Sequence, residues 1–434
     1  MPYMVQKIMK TTLLILSVVL LLSCGNSTQR KQSKTHKPAT KTPAQAMYES
    51  YIPAKLKLPD VLFVAIDAHG DAALALKHFR WSADQYGFRI IALKNVKNND
   101  AKFIQHIASA ISDATTRFHL ASPGIYLAGF SGGARMALNY AQTHQAKGVI
   151  MMGAGPGSQQ NTFSFPLAMI SGTRDFNFVE QHYPINSPRV ENPNLITLHW
   201  QGKHAWPDSL SIWNAATFVL YRSGKIEEAD IDRRRQLAQA KKYKEQKNIF
   251  FYFKQLELIS KTSVGDLQQK AQSSLADIRN SAQARAYFKR FDNTLAAEQK
   301  RNRYYMQDLE TKPLDWWQSQ IQKLDALINS AKGMEADSYA RNRAFLGVLL
   351  YSKTRSALSG RGNAKLVPKY LKIYEMLEPE NPDVFYFKAR YAYIMNRNEI
   401  AIKELKRALE LGYSDEEQLH RVFPQIIISR AKQE

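Results

Sequence analysis

The sequence predicts an α/β protein, a mostly parallel sheet with helices on both faces and no large lid, followed by an all-α region. Two observations carry this expectation. Between residues 59 and 225, short β-branched and aromatic runs alternate with stretches of helical spacing, and strictly alternating elements build a parallel sheet covered on both sides. Beyond residue 225 strand signals almost vanish, and long charged segments with apolar stripes replace them.

The elements follow in order. "VLFVAID" is a buried strand, "ALALKHFRWSADQYG" an amphipathic helix and "FRIIALK" a second strand. "AKFIQHIASAISDATTRF" is helical, "GIYLAGF" a strand and "GARMALNYAQTHQ" a helix. Three further strands, "GVIMMGAG", "FPLAMISG" and "LITLHWQG", precede the helix "SLSIWNAATFVLYRS". In such a sheet the functional groups stand in loops at the C-terminal ends of strands.

The 209 residues from 226 onward read as a helical domain. Within it, "NPDVFYFKARYAYIMNRNEIAIKELKRALELGY" resembles a tetratricopeptide unit: Ala389, Ala401, Leu405 and Ala408 fall at helix-crossing spacing around a turn at "MNRN". "AKLVPKYLKIYEMLEPENP" resembles the second helix of a preceding unit, placing repeat-like structure near residues 338–413, although "SALSGRGNAK" would interrupt it. A generic helical bundle is the alternative.

The N-terminal segment has a different logic. Lys7 and Lys10, the apolar "TTLLILSVVLLLS" and a small residue before Cys24 resemble a bacterial lipoprotein signal, in which residues 1–23 are removed and Cys24 is lipidated. An uncleaved anchor is the alternative, but the apolar run is short for a span of about 20 residues. Residues 24–58, which after Cys24 read "GNSTQRKQSKTHKPATKTPAQ", are polar, basic and aperiodic, and form a flexible tether by expectation. The expected location is the bacterial cell envelope, outside the cytoplasm.

Composition narrows the chemistry. Cys24 is the only cysteine of 434 residues, so an intrachain disulfide, cysteine catalysis and zinc-thiolate chemistry are excluded. A net charge of +22 suits an anionic partner. The excess is dispersed, with 37 basic against 27 acidic residues in 226–434 and 7 against 1 in 1–49. With no zinc spacing, aromatic RNA-binding signature or phosphate loop, it argues for no nucleic acid, and no cofactor or metal is expected.

The chemistry centres on "GFSGGARMA". Gly129, Ser131 and Gly133 fit G-x-S-x-G, the strand-to-helix turn that presents a serine nucleophile in α/β-hydrolases. That order requires an acid and then a histidine beyond later strands. "FPLAMISG" runs into "TRDFNF", placing Asp175 at a strand end, and "LITLHWQG" runs into "KHAWPD", placing His204 in the next loop.

Together, "GFSGGARMA", "SGTRD" and "KHAWP" resemble the nucleophile, acid and histidine motifs of the small esterase and polyhydroxybutyrate-depolymerase-like branch of the α/β-hydrolases. "IDAHGD" with the later "LKNVKNND" is similar to a group of predicted lipoprotein hydrolases carrying tetratricopeptide repeats. The resemblance covers residues 59–221. It implies acyl transfer from an ester, with Ser131 attacking, His204 as base and Asp175 orienting it. The oxyanion would be held by the main-chain N–H of Gly132 and, from the H-G-x position, of Asp71, whose carboxylate departs from the pattern.

Each has a simpler alternative: a permissive turn for Ser131, a helix cap for Asp175, packing against Trp206 for His204. His199 is the competing base but lies in a strand's alternation, His69 is expected to orient the oxyanion loop, and Arg135 to pack or pair. The other functional readings are a non-catalytic envelope scaffold recruiting protein partners through its repeats, and a serine peptidase using the same three residues.

Overall fold

The structure is a computed structural model that describes residues 47–157, 163–183, 187 and 191–433. The expected signal peptide, Cys24 and most of the tether lie outside the described residues. The chain divides into two compact units between Arg290 and Phe291.

In the first unit, seven strands form one sheet: β1 (Tyr48–Tyr51), β2 (Leu58–Ile66), β3 (Phe88–Leu93), β4 (Gly124–Phe130), β5 (Gly148–Met152), β6 (Leu167–Arg174) and β7 (Leu195–Lys203). Their order is β1-β3-β2-β4-β5-β6-β7, with β1 antiparallel to β3 and every other pair parallel. Helices α1 (Ala72–Tyr86), α2 (Phe103–Arg117), α3 (Gly132–Thr143), the single turn α4 (Phe178–Gln181) and α5 (Ser209–Arg222) connect and flank them. This is the α/β-hydrolase fold expected from the sequence.

Strand β2 shows why the sequence folds this way. Val61, Phe63 and Ala65 enter one core with α1 and α5, while Leu62, Val64 and Ile66 enter the other with α2 and α3. A strand buried on both faces needs an unbroken apolar run, and "VLFVAI" supplies it. Phe63 stacks between Phe88 at 4.2 Å and Tyr126 at 4.9 Å, locking β3, β2 and β4 together. From β2 the chain moves first to β3 on one side and then to β4 on the other. The crevice beyond the ends of β2 and β4 is therefore the topological switch point, where sites collect.

Two boundaries differ from expectation. The folded part starts before residue 59: Tyr48–Tyr51 pair with β3, and the buried Tyr48 donates its hydroxyl to Asp113 at 2.6 Å. Four residues with no apolar run carry no strand signal, so tertiary pairing alone makes this strand.

The second difference lies at residue 225. Helices α6 (Arg233–Glu245), α7 (Ile249–Thr262) and α8 (Gly265–Asn280) belong to the same unit as the sheet. The reason is β7, the edge strand, which α7 covers. Lys261 Nζ donates to the main-chain carbonyls of Asn192 and Leu195, and Lys254 Nζ reaches Thr197 at 2.6 Å while pairing with the buried Glu257 at 2.9 Å. Burial pushes the Lys261 ammonium down to about 8.

The second unit is all-α. Helix α9 (Ala282–Thr311) runs into it, followed by α10 (Leu314–Ser330), α11 (Met334–Leu358), α12 (Val367–Leu377), α13 (Pro382–Ile394), α14 (Asn398–Glu410), α15 (Glu416–Val422) and α16 (Gln425–Gln433). Ala389, Ala401, Leu405 and Ala408 are fully buried in the α13/α14 hairpin, whose turn includes Asn396 at φ 57°. A buried polar knot joins α9 to α11: Arg341 donates to both oxygens of Glu298, and Asn342 to Asn302 at 2.6 Å. Among the described residues no helix is long and apolar enough to cross a membrane.

Candidate active site

Ser131 sits between the last residue of β4 and the first of α3 with φ 54° and ψ −117°, a backbone conformation that costs a residue with a side chain about 1–3 kcal/mol. The turn is held where it is. Ser131 N–H donates to Met152 O at 2.8 Å, and the two motif glycines remove obstacles. A Cβ on Gly129 would overlap the Gly133 backbone, and one on Gly133 would overlap the Ile66 carbonyl. The G-x-S-x-G pattern is therefore a packing requirement that brings the start of α3 against the end of β2.

His204 joins the other two candidates. Its Nε2 lies 3.0 Å from Ser131 Oγ and its Nδ1 2.9 Å from Asp175 Oδ1. An ionised carboxylate can only accept, so Nδ1 carries the proton and Nε2 accepts from the serine hydroxyl. Asp175 is 1% exposed, and its Oδ1 also accepts the Asn177 N–H at 2.8 Å. The ring of His204 is wedged between Phe130 and Phe176, with centroids 4.8 and 4.3 Å away. A serine, a neutral imidazole and a buried carboxylate in this line can draw a proton off the hydroxyl and hold the resulting imidazolium.

The acid turn is fastened from below. Arg135, in α3, donates to both oxygens of Glu180 at 2.8 and 3.0 Å, and Glu180 Oε2 also accepts the Gly155 N–H at 2.9 Å. Asn177 donates to Gly153 O and Gln181 to Ala154 O. Arg135 thus pairs, the role expected for it. Its partner Glu180 was not legible in the sequence, because only the fold brings α3, the loop after β5 and α4 together.

Asp175 caps no helix: the N-cap of α4 is Asn177. Trp206 packs on His78 and Phe130, not on His204. His199 is buried against Phe178 and Phe250 with Nδ1 2.9 Å from Ser171 Oγ, outside the chain of hydrogen bonds that reaches Ser131. His69 contributes its main-chain N–H, which donates to Asp67 Oδ1 at 2.7 Å.

Asp71 is not where an oxyanion donor should be. Its N–H is directed at Asp67 Oδ1, 3.3 Å away, and its carboxylate caps α1 by accepting the Leu74 N–H at 2.9 Å. Two turn N–H groups are thus taken by one buried carboxylate. Ala68, the residue after Asp67, keeps a main-chain N–H with no partner among the described residues, and it follows the β2 end against which α3 packs. The sequence signal for this was present: an aspartate directly after the strand, two and four residues before the N–H groups it binds.

Neither a protein-family model nor a curated protein matches the sequence. Solved structures match part of the chain at low similarity. An α/β serine hydrolase homologue from Coxiella burnetii is 14% identical, covering 36% of this chain and 82% of its own, with a TM-score of 0.29. Esterase PE8 is 15% identical over 40% of this chain and 98% of its own, at 0.32. An α/β serine hydrolase without a lid from Xanthomonas campestris is 14% identical over 42% and 97%, at 0.27.

Proposed function

We propose that the protein is a serine hydrolase that cleaves a carboxylic ester through an acyl-enzyme on Ser131. One observation carries the reading: the unbroken line from Asp175 through His204 to Ser131. His204 Nε2 takes the proton of Ser131 as Oγ bonds to the ester carbon, and Asp175 holds the imidazolium. His204 then passes that proton to the departing alkoxide, and water repeats the sequence to free the acid. The carbonyl oxygen, which gains charge at each addition, is met by the N–H of Gly132 at the start of α3 and by that of Ala68.

In this reading lipid on Cys24 tethers the enzyme outside the cytoplasm, and the tetratricopeptide-like hairpins dock a protein partner. Supporting the docking role is a groove of about 220 Å³ between α12, α13 and α14, lined by Leu371, Tyr391, Met395 and Ile400.

The test is labelling with a fluorophosphonate probe. Wild-type protein should label, Ser131→Ala should not, and Asp175→Asn should label slowly, with kcat on an acyl-ester panel reduced by about 10³–10⁴. Equal labelling of wild type and Ser131→Ala would remove Ser131 as nucleophile. Loss of membrane association in Cys24→Ser checks the anchor.

A further inference from the structure

Beside the nucleophile stands a group that the three-residue relay does not use. The motif "LKNVKNND" forms the loop after β3, and there the Asn98 carboxamide lies against Gly132: a Cβ on that glycine would overlap Asn98 Oδ1. The position after a nucleophilic serine has no intrinsic need for glycine, since its φ here is helical and its duty is a main-chain N–H. What glycine provides at 132 is room for Asn98.

The loop is built to hold Asn98 there. Its main-chain N–H donates to Ala68 O at 2.8 Å, tying it to the residue assigned as the second oxyanion donor. Gly70 packs directly on the Lys94 carbonyl, so the two loops touch backbone to backbone. Val96 is buried, and Asp100 closes the far side by accepting the Lys102 N–H at 2.9 Å and meeting His106 Nδ1 at 2.7 Å. Yet Asn98 itself is exposed, and its carboxamide makes no hydrogen bond among the described residues. A side chain whose backbone is pinned, whose amide is unspent and whose neighbour has given up its Cβ is placed to serve a ligand.

We propose that Asn98 is a third hydrogen-bond donor to the carbonyl oxygen of the substrate, acting with Gly132 and Ala68; this rests on the acyl-transfer reading of Ser131. The terminal torsion of asparagine is broad, so a turn about it presents Nδ2 in place of Oδ1. As Oγ bonds to the carbonyl carbon, the carbonyl π pair moves onto oxygen and the hydrogen bond donated to it by Nδ2–H strengthens. The proton stays on nitrogen. A neutral amide suits this position because a carboxylate would repel the developing charge.

The experiment measures turnover of a p-nitrophenyl ester by the full chain and by Asn98→Ala, Asn98→Asp, Gly132→Ala and the Asn98→Ala/Gly132→Ala double variant, with thermal unfolding as a folding control. Asn98→Ala should lower kcat about 10- to 100-fold with KM little changed, below or at the low end of the loss for a buried oxyanion donor. Asn98→Asp should lose more than Asn98→Ala. Gly132→Ala keeps its N–H but displaces the carboxamide, so it should match Asn98→Ala, and the double variant should lose no more than either.

Wild-type kcat in Asn98→Ala, or single losses that multiply in the double variant, would overturn the proposal. Fluorophosphonate labelling separates the two levels. If wild type fails to label, the acyl-transfer reading falls and this one with it; if Asn98→Ala labels and turns over as wild type does, only the role of Asn98 falls.

Discussion

The carboxylate of Asp67 bonds to the indole of Trp206: Oδ2 accepts the Nε1–H at 2.8 Å, while Oδ1 accepts the main-chain N–H groups of His69 and Asp71. Both side chains are buried, at 3% and 7% exposure. One aspartate therefore shapes the turn after β2 and fixes it to the loop that carries His204. The turn after β2 and the loop after β7 are thus tied through one buried hydrogen bond.

Trp206→Phe should test that coupling. It keeps an aromatic body against His78 and Phe130 and removes the donor, leaving a buried carboxylate short of one partner. Losing a hydrogen bond to a charged group costs about 1.5–3 kcal/mol, visible as a lower midpoint in denaturant unfolding. Turnover should fall in kcat more than in KM, because ground-state binding does not need the base and the oxyanion donors in register. An unchanged kcat with lowered stability would make the contact purely structural.

Glu180→Ala should loosen the acid. The variant frees Arg135, unpairs the Gly155 N–H and lets the turn bearing Asp175 drift from His204. A Cβ at Gly155 would press on Glu180 itself, so Gly155→Ala should give a similar phenotype without removing a charge. Each should lower kcat measurably and slow fluorophosphonate labelling. Labelling at the wild-type rate in both would show that Asp175 is held without the clamp.

Glu298→Ala addresses the second unit alone. It removes the carboxylate that accepts from the guanidinium of Arg341, a side chain 2% exposed in the helical core. Breaking a buried pair by removing one partner costs about 3–5 kcal/mol, a large fraction of a domain's stability. Calorimetry should show the loss as a transition moved to lower temperature. Because Ser131 and its partners lie in the other unit, ester turnover at temperatures below that transition should match wild type.

Much of this was legible in the sequence because it is local. The two-sided burial of β2 is written in consecutive apolar residues, and the elbow around Ser131 in glycines whose missing side chains the backbone needs. Asp175 and His204 were readable because a parallel sheet sends every strand's C-terminal end to the same edge, so residues 44 and 73 positions from Ser131 meet without further instruction.

What only the tertiary structure decided are pairings between segments that no local pattern links. The strand Tyr48–Tyr51 exists because β3 has an open edge, and α7 joins the sheet unit because β7 has another. The N–H of Asp71 turns to Asp67 because a carboxylate claims N–H groups by geometry, which spacing does not encode. Glu180 and Asn98 show the same limit: each is an ordinary loop or helix residue until the fold sets it against Arg135 or Gly132. Periodicity reports which face of an element is buried, whereas a polar contact depends on where two elements end in space.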